Sequence, residues 1–328
     1  MDRYFLNTTD EYHRNELDSL GWEVTLSVML EDEESPCRRV IKKPDSFGNL
    51  LYDFLSTVLP MDGISRVIEI GGGYGYLMRD FLQRNEKLRA TMVDISPFLL
   101  AAQQKTLQGF DVQFKMEDLL AMEAGALSGF DLAVLNEVVG DLPTACNVPK
   151  RMLGEGTDLR DAALQEVRRI CHCYGISPAG GKHFTMNLGA IQATEKLCSA
   201  QIPYIFISEH SCQARVPDAL ARLIELEPTG EPERIRLRGH SEYTIRFSDL
   251  EKVAASFGYA WRRGQYLDFI EPVIEGEVPF ILCLDSSKVA RFEIIRQFIE
   301  DLVKYEYLVL SLESQSTMIE VNHSSSSF

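Results

Sequence analysis

The chain has 328 residues, 33 basic against 49 acidic side chains, and a net charge of −16. With 45% hydrophobic and 25% charged residues, it suits one large α/β domain with insertions or two modest ones. The negative surplus repels phosphate backbones and no Lys/Arg-rich run offsets it, so no nucleic-acid partner is expected.

Seven cysteines, at 37, 146, 171, 173, 198, 212 and 283, follow no framework spacing. They read as reduced thiols of a cytoplasmic protein. The start, Met1-Asp2-Arg3-Tyr4, lacks a basic then apolar leader, and no apolar run is long enough to span a bilayer. No membrane partner is expected.

In chain order, residues 1–45 are polar and acidic, with Glu31-Asp32-Glu33-Glu34 before Ser35-Pro36; they read as an arm or lid. From 46 to 285, short β-rich runs alternate with amphipathic stretches, the pattern of βαβ units around a mostly parallel sheet. Strands are predicted at 65–70, 90–93, 112–115, 132–135, 204–208 and 280–285, with helices at 76–85 and 97–107 between them. Positions 136 to 203 break the alternation: helices near 158–174 and 188–200 are predicted, jointed at Pro178-Ala179-Gly180-Gly181. An insertion after the fourth strand (144–187) overlies the ligand crevice of such a sheet, so specificity is expected there. Residues 287–308 read as one amphipathic helix, striped by Val289, Phe292, Ile295, Phe298 and Ile299. The stripe is a core or a dimer contact, which leaves a homodimer open. The serines at 324–327 are expected to be disordered.

The central motif is Val67-Ile68-Glu69-Ile70-Gly71-Gly72-Gly73-Tyr74-Gly75-Tyr76-Leu77. A buried strand ends next to an acid and turns through Gly71, Gly73 and Gly75 into a helix, letting a ligand approach where no Cβ intervenes. A dinucleotide site needs a small third residue where Tyr76 stands, so that reading is disfavoured. Glu-x-Gly-x-Gly-x-Gly instead resembles motif I of class I S-adenosylmethionine-dependent methyltransferases. Asp94 ends the second strand, placed to accept from both ribose hydroxyls. The resemblance makes Asp118, after the third strand, a partner for the adenine amino group, and sets Glu69 near the cofactor's amino group or fixing the loop.

Asn136-Glu137-Val138-Val139-Gly140-Asp141-Leu142-Pro143 follows the fourth strand. It resembles the MidA-like methyltransferases, which include the mitochondrial complex I assembly methyltransferase. Asn136, Glu137, Leu142 and Pro143 match; Gly140 stands where that family has Asp, and the acid comes one place later at Asp141. The likeness extends more weakly over 47–275, through Ser96-Pro97, residues 188–208 and His240-Ser241-Glu242-Tyr243-Thr244 to Gln265. After strand five the family's Asp-Tyr-Gly is replaced by Glu209-His210-Ser211.

The resemblance implies a Rossmann-like fold: an N-terminal arm (1–45), a methyltransferase domain (46–285) and a C-terminal helix with tail (286–328). It implies S-adenosylmethionine bound by Glu69, Gly71, Gly73, Gly75, Asp94, Asp118 and Asn136, and methylation of a protein nitrogen such as arginine. Carboxylates beside the methyl group orient an amine and accept its proton; Glu137 and Asp141 are the candidates, with Asn136 supplying an amide. Two other readings stay open: a small-molecule acceptor under the 144–187 insertion, or a non-catalytic assembly factor that binds the cofactor. His210 reads as a loop residue, with a general base for a hydroxyl or thiol as the alternative. Cys171-His172-Cys173, with His183 nearby, lacks a second thiol pair at zinc spacing, so no metal is expected.

Overall fold

A computed structural model of the chain describes residues 3–18, 25–154, 160–178, 181–284 and 288–312. The N-terminal arm contributes β1 (Phe5–Asn7), α1 (Asp10–Asn15) and α2 (Leu26–Met29). Then come α3 (Phe47–Val58), β2 (Arg66–Ile70), α4 (Tyr76–Arg84), β3 (Arg89–Asp94), α5 (Pro97–Thr106), β4 (Val112–Met116) and β5 (Leu132–Asn136). The insertion holds β6 (Thr144–Pro149), α6 (Ala162–Tyr174) and β7 (His183–Met186). After it follow α7 (Leu188–Ser199), β8 (Tyr204–His210), β9 (Arg234–Arg236), β10 (Ser241–Tyr243), α8 (Phe247–Ser256), β11 (Tyr259–Gln265), α9 (Val278–Leu282), α10 (Ala290–Lys304) and β12 (Tyr305–Leu312).

Seven strands form one sheet in the order β11-β12-β8-β5-β2-β3-β4. The pairs among β4, β3, β2, β5 and β8 are parallel. β12 runs antiparallel to both β8 and β11, so only β12 is reversed. The sheet is sandwiched. Val67, Val134, Phe206 and Tyr307 meet α3, α4 and α10 on one face, while Ile68, Ala133, Ile205 and Leu308 meet α6, α7 and α8 on the other. Burial on both faces explains why these strands read as apolar runs rather than alternations. Helix starts follow local chemistry: Ser96 accepts from the Leu99 amide, with Pro97 in the first turn of α5, and Asp161 accepts from the Leu164 amide at α6.

Three expectations are corrected. The run at 280–285 is not a strand: Val278–Leu282 is a helix with Pro279 in its first turn, where a missing N–H costs nothing; Asp285 lies outside the described residues. The single helix predicted at 287–308 ends at Lys304, and the alternating aromatic and aliphatic run from Tyr305 becomes β12, hydrogen-bonded on both edges. The sheet therefore extends past the domain end placed at 285. The insertion after β5 is not purely helical, because β6 pairs with both β1 and β7 and ties the N-terminal arm to it. Of the helical stripe, Ile295, Phe298 and Ile299 are core and Val289 is exposed. Positions 158, 179 and 180 and the serines at 324–327 lie outside the described residues. Among the described residues, no helix is long and apolar enough to cross a membrane.

Candidate active site

The strand order reverses between β2 and β5, whose carboxyl ends therefore open a crevice between diverging connections. A cavity of about 470 Å³ sits there, within the range of small-molecule sites. Its walls include Glu69, Gly71, Gly73, Asp94, Asp118, Asn136, Glu137 and Asp141. Gly75 alone of the predicted residues does not line it. That glycine takes φ +82° as the residue preceding α4, and a Cβ there would face Gln103 and Leu107. Its role is the turn into α4.

The β2–β3 wall is built by local chain. Gly71 has φ +66°, and a Cβ there would lie 2.4 Å from Val138 Cγ2, so only glycine fits. Gln103 of α5 ties the wall together, donating to the Gly73 carbonyl at 3.0 Å and to Asp94 Oδ2 at 2.8 Å. Asp94 Oδ1 accepts from the Ser96 amide at 2.8 Å. Burial raises the Asp94 pKa, although these two donors oppose the rise. Glu69 is 2% exposed, its Oε2 has no hydrogen-bond partner, and burial, then the charge of Asp94, push its pKa up to about 8. Asp118 accepts from the Leu120 amide at 2.8 Å and faces Arg14 of α1 at 3.9 Å.

The opposite wall is assembled from distant segments. Asn136 Oδ1 accepts from Ser208 and Tyr266 at 3.0 and 2.9 Å, which leaves its amide donating to Glu137 Oε1 at 3.2 Å. Glu137 takes φ +53°, rare and costly for a residue with a Cβ, and its other oxygen accepts from Tyr305 at 3.3 Å. Burial, then Glu209, raise its pKa to about 7 against the pull of His210. Glu209 accepts from the Gly140 amide at 3.0 Å. His210 packs on Tyr305, ring centroids 3.9 Å apart, with Asp301 at 3.6 Å. Burial alone would lower the His210 pKa, but Asp301, Glu209 and Glu137 outweigh it and raise it.

Asp141 meets two imidazoles: His13 Nε2 at 3.0 Å and His240 Nε2 at 3.4 Å from the same Oδ1. Burial pushes its carboxyl up, yet these rings prevail and hold it below the ordinary range.

Sequence reasoning found Glu137 and Asp141 but assigned no site role to His13, Glu242, Asp301 or Tyr305, and treated His210 as a loop residue; all five line the cavity. The available signal was the departure at Glu209-His210, two ionisable residues continuing the apolar run of β8. The pair Cys171 and Cys173 lies elsewhere, Cys173 exposed on the surface, and all seven cysteines are free.

Among the described residues, ten carboxyl groups line the cavity, against two histidines and no lysine or arginine. Such a lining favours a ligand with positive charge.

Residues 68–175 match the family model of a methyltransferase domain. No curated protein matches the sequence. An uncharacterised protein of Burkholderia thailandensis superposes with a TM-score of 0.50 over 81% of this chain and 78% of its own, at 16% identity. Another structure from that organism, solved with S-adenosyl-homocysteine bound, gives 0.48 over 81% and 76%, also at 16% identity. Magnesium protoporphyrin IX methyltransferase of Synechocystis PCC 6803 gives 0.40 over 81% and 82%, at 12% identity. The sheet order and the first of these structures give the chain a Rossmann-like fold, a mostly parallel sheet flanked by helices.

Proposed function

We propose that the chain is an S-adenosylmethionine-dependent methyltransferase acting on a small-molecule acceptor. The observation that carries the reading is the meeting of a glycine loop, Glu69 and Asp94 with Glu137 in one cavity at the switch point of the sheet. The matched methyltransferase domain spans Glu69, Asp94, Asp118 and Glu137.

The residues fit the cofactor. A buried carboxylate with an unpartnered oxygen, Glu69, is costly unless a cationic or donor group reaches it; the methionine ammonium is such a group. Each Asp94 oxygen holds one protein donor and retains a lone pair for a ribose hydroxyl. Asp118 is the candidate for the adenine amino group. S-adenosylmethionine, when bound, supplies a methyl group on positively charged sulfur. The chain's own share is alignment, water exclusion and proton handling. Glu137, with a pKa near 7, accepts a proton from the acceptor at neutral pH. Asn136, locked by Ser208 and Tyr266, and Tyr305 fix that carboxylate.

The preference for a small acceptor over a protein side chain rests on the N-terminal arm. Thr8, Thr9, Asp10, His13, Thr25, Ser27 and Val28 all line the cavity, so the arm covers ground that a peptide would need. Calorimetric titration with S-adenosylmethionine, with NADH as control, tests the reading. Binding of the former alone, weakened in Asp94→Ala, is expected; absence of binding overturns it.

A further inference from the structure

We propose that His13, Asp141 and His240 form a binding site for a divalent first-row transition ion where the N-terminal arm meets the cavity. Their ligand atoms come from three remote segments and all lie within 4.8 Å of one another. The Nε2 atoms of both histidines face one oxygen, Asp141 Oδ1, at 3.0 and 3.4 Å, and Glu242 Oε1 lies 3.5 Å from His240 Nε2. Nitrogen and oxygen ligands sit about 2.0–2.2 Å from zinc, so neighbouring ligand atoms around such an ion stand roughly 3.0–3.6 Å apart. The spacings from Asp141 to both rings and from Glu242 to His240 are of that size.

The two imidazole rings are 5.3 Å apart, and the Asp141 side chain they both approach is only 17% exposed. The supports for the ligands are in place. Tyr12 stacks on His240 at 4.2 Å. Gly239, at φ +92°, makes room for that ring, since a Cβ there would come 2.5 Å from Tyr12 Cε2. Thr9 donates to the Asp141 carbonyl at 2.9 Å, and Asn7 to the Ser241 carbonyl at 2.8 Å. Fixed ligands of this kind lose little entropy on binding metal. Two imidazoles and a carboxylate suit zinc or iron(II) and not magnesium, which prefers oxygen ligands.

His13, Asp141 and Glu242 also line the cavity. Given the methyltransferase reading, on which this step rests, the ion's remaining positions select an acceptor with a ligating oxygen, a hydroxyl or a carboxylate.

The test uses the full chain carrying Cys171→Ser and Cys173→Ser, stripped with a chelator and titrated with Zn²⁺, with Mg²⁺ as control. One Zn²⁺ per chain is expected, with no magnesium signal. His13→Ala, His240→Asn and Asp141→Asn are each expected to weaken zinc binding by at least about 10-fold. Circular dichroism checks that each variant is folded, and Zn²⁺ is expected to raise the melting temperature of the parent only. No stoichiometric zinc, or unchanged affinity in all three folded variants, overturns the site. S-adenosylmethionine titrated into the stripped chain reports on the cofactor separately. Cofactor binding without zinc binding overturns this inference alone; zinc binding without cofactor binding upholds the site and overturns the methyltransferase reading.

Discussion

The cavity has two walls built on different principles. The β2–β3 wall uses the glycine loop, Asp94 and Asp118, each at or just past the end of a successive strand in adjacent βα units. The facing wall draws Thr9 and His13 from the arm, Asn136 from the end of β5, Glu137 and Asp141 from the loop after it, Glu209 and His210 from β8, Glu242 from β10, and Asp301 and Tyr305 from the α10–β12 junction. The first wall presents one orphaned acid to a ligand. In the second, ionisable groups mostly answer one another, as in Glu137 with Tyr305, His210 with Asp301 and Asp141 with two histidines. The lesson is a division of labour: one wall is a fixed receptor, and the other a network whose charge state depends on several segments docking together.

The sharpest way to break that division is Glu137→Gln. In the proposed reaction Glu137 takes the acceptor's proton, and its loss is expected to slow radiolabelled methyl transfer by roughly 10²–10⁴-fold. In the parent the rate should rise with pH and level off above about 7, where Glu137 is ionised; a pH-independent rate would remove Glu137 from the proton path.

Glu69 tests the receptor wall through stability. Its folded pKa of about 8 exceeds the ordinary 4.5, so its favourable contribution is full below pH 4.5 and is lost as pH rises through 8. The loss is of order 4 kcal/mol. Glu69→Gln is expected to remove that loss in the cofactor-free chain, making the variant the more stable of the two at pH 8 by denaturant titration. Asp94→Ala is expected to weaken S-adenosylmethionine binding about 100-fold, the worth of two charge-assisted hydrogen bonds, as read by calorimetry.

Smaller effects separate the arm from the receptor. Gly239→Ala places a Cβ against Tyr12 at an unfavourable φ and is expected to cost about 1–2 kcal/mol of stability. Its acceptor KM should rise several-fold while cofactor affinity holds. Arg14→Ala removes only a partly exposed 3.9 Å contact with Asp118 and is expected to change cofactor affinity by less than about twofold.

What the sequence determined by itself is the β2–β3 wall and the parallel half of the sheet. Its signals are local: Glu69, the glycines and Tyr76 lie in one short stretch, and β2, β3, β5 and β8 read as compact runs because they are buried on both faces, while the edge strand β4 is only partly buried. The strand at Tyr305–Leu312 was not legible, because it follows α10 without a break and only pairing with β8 and β11 decides against continued helix. Nor were the partners of Asp141 and Glu137. His13 precedes Asp141 by well over a hundred residues and His240 follows it by nearly as many, so no spacing links them. Tertiary structure decided that wall, since a carboxylate's pKa, its partners and its access to a ligand are set by which distant chains are packed against it.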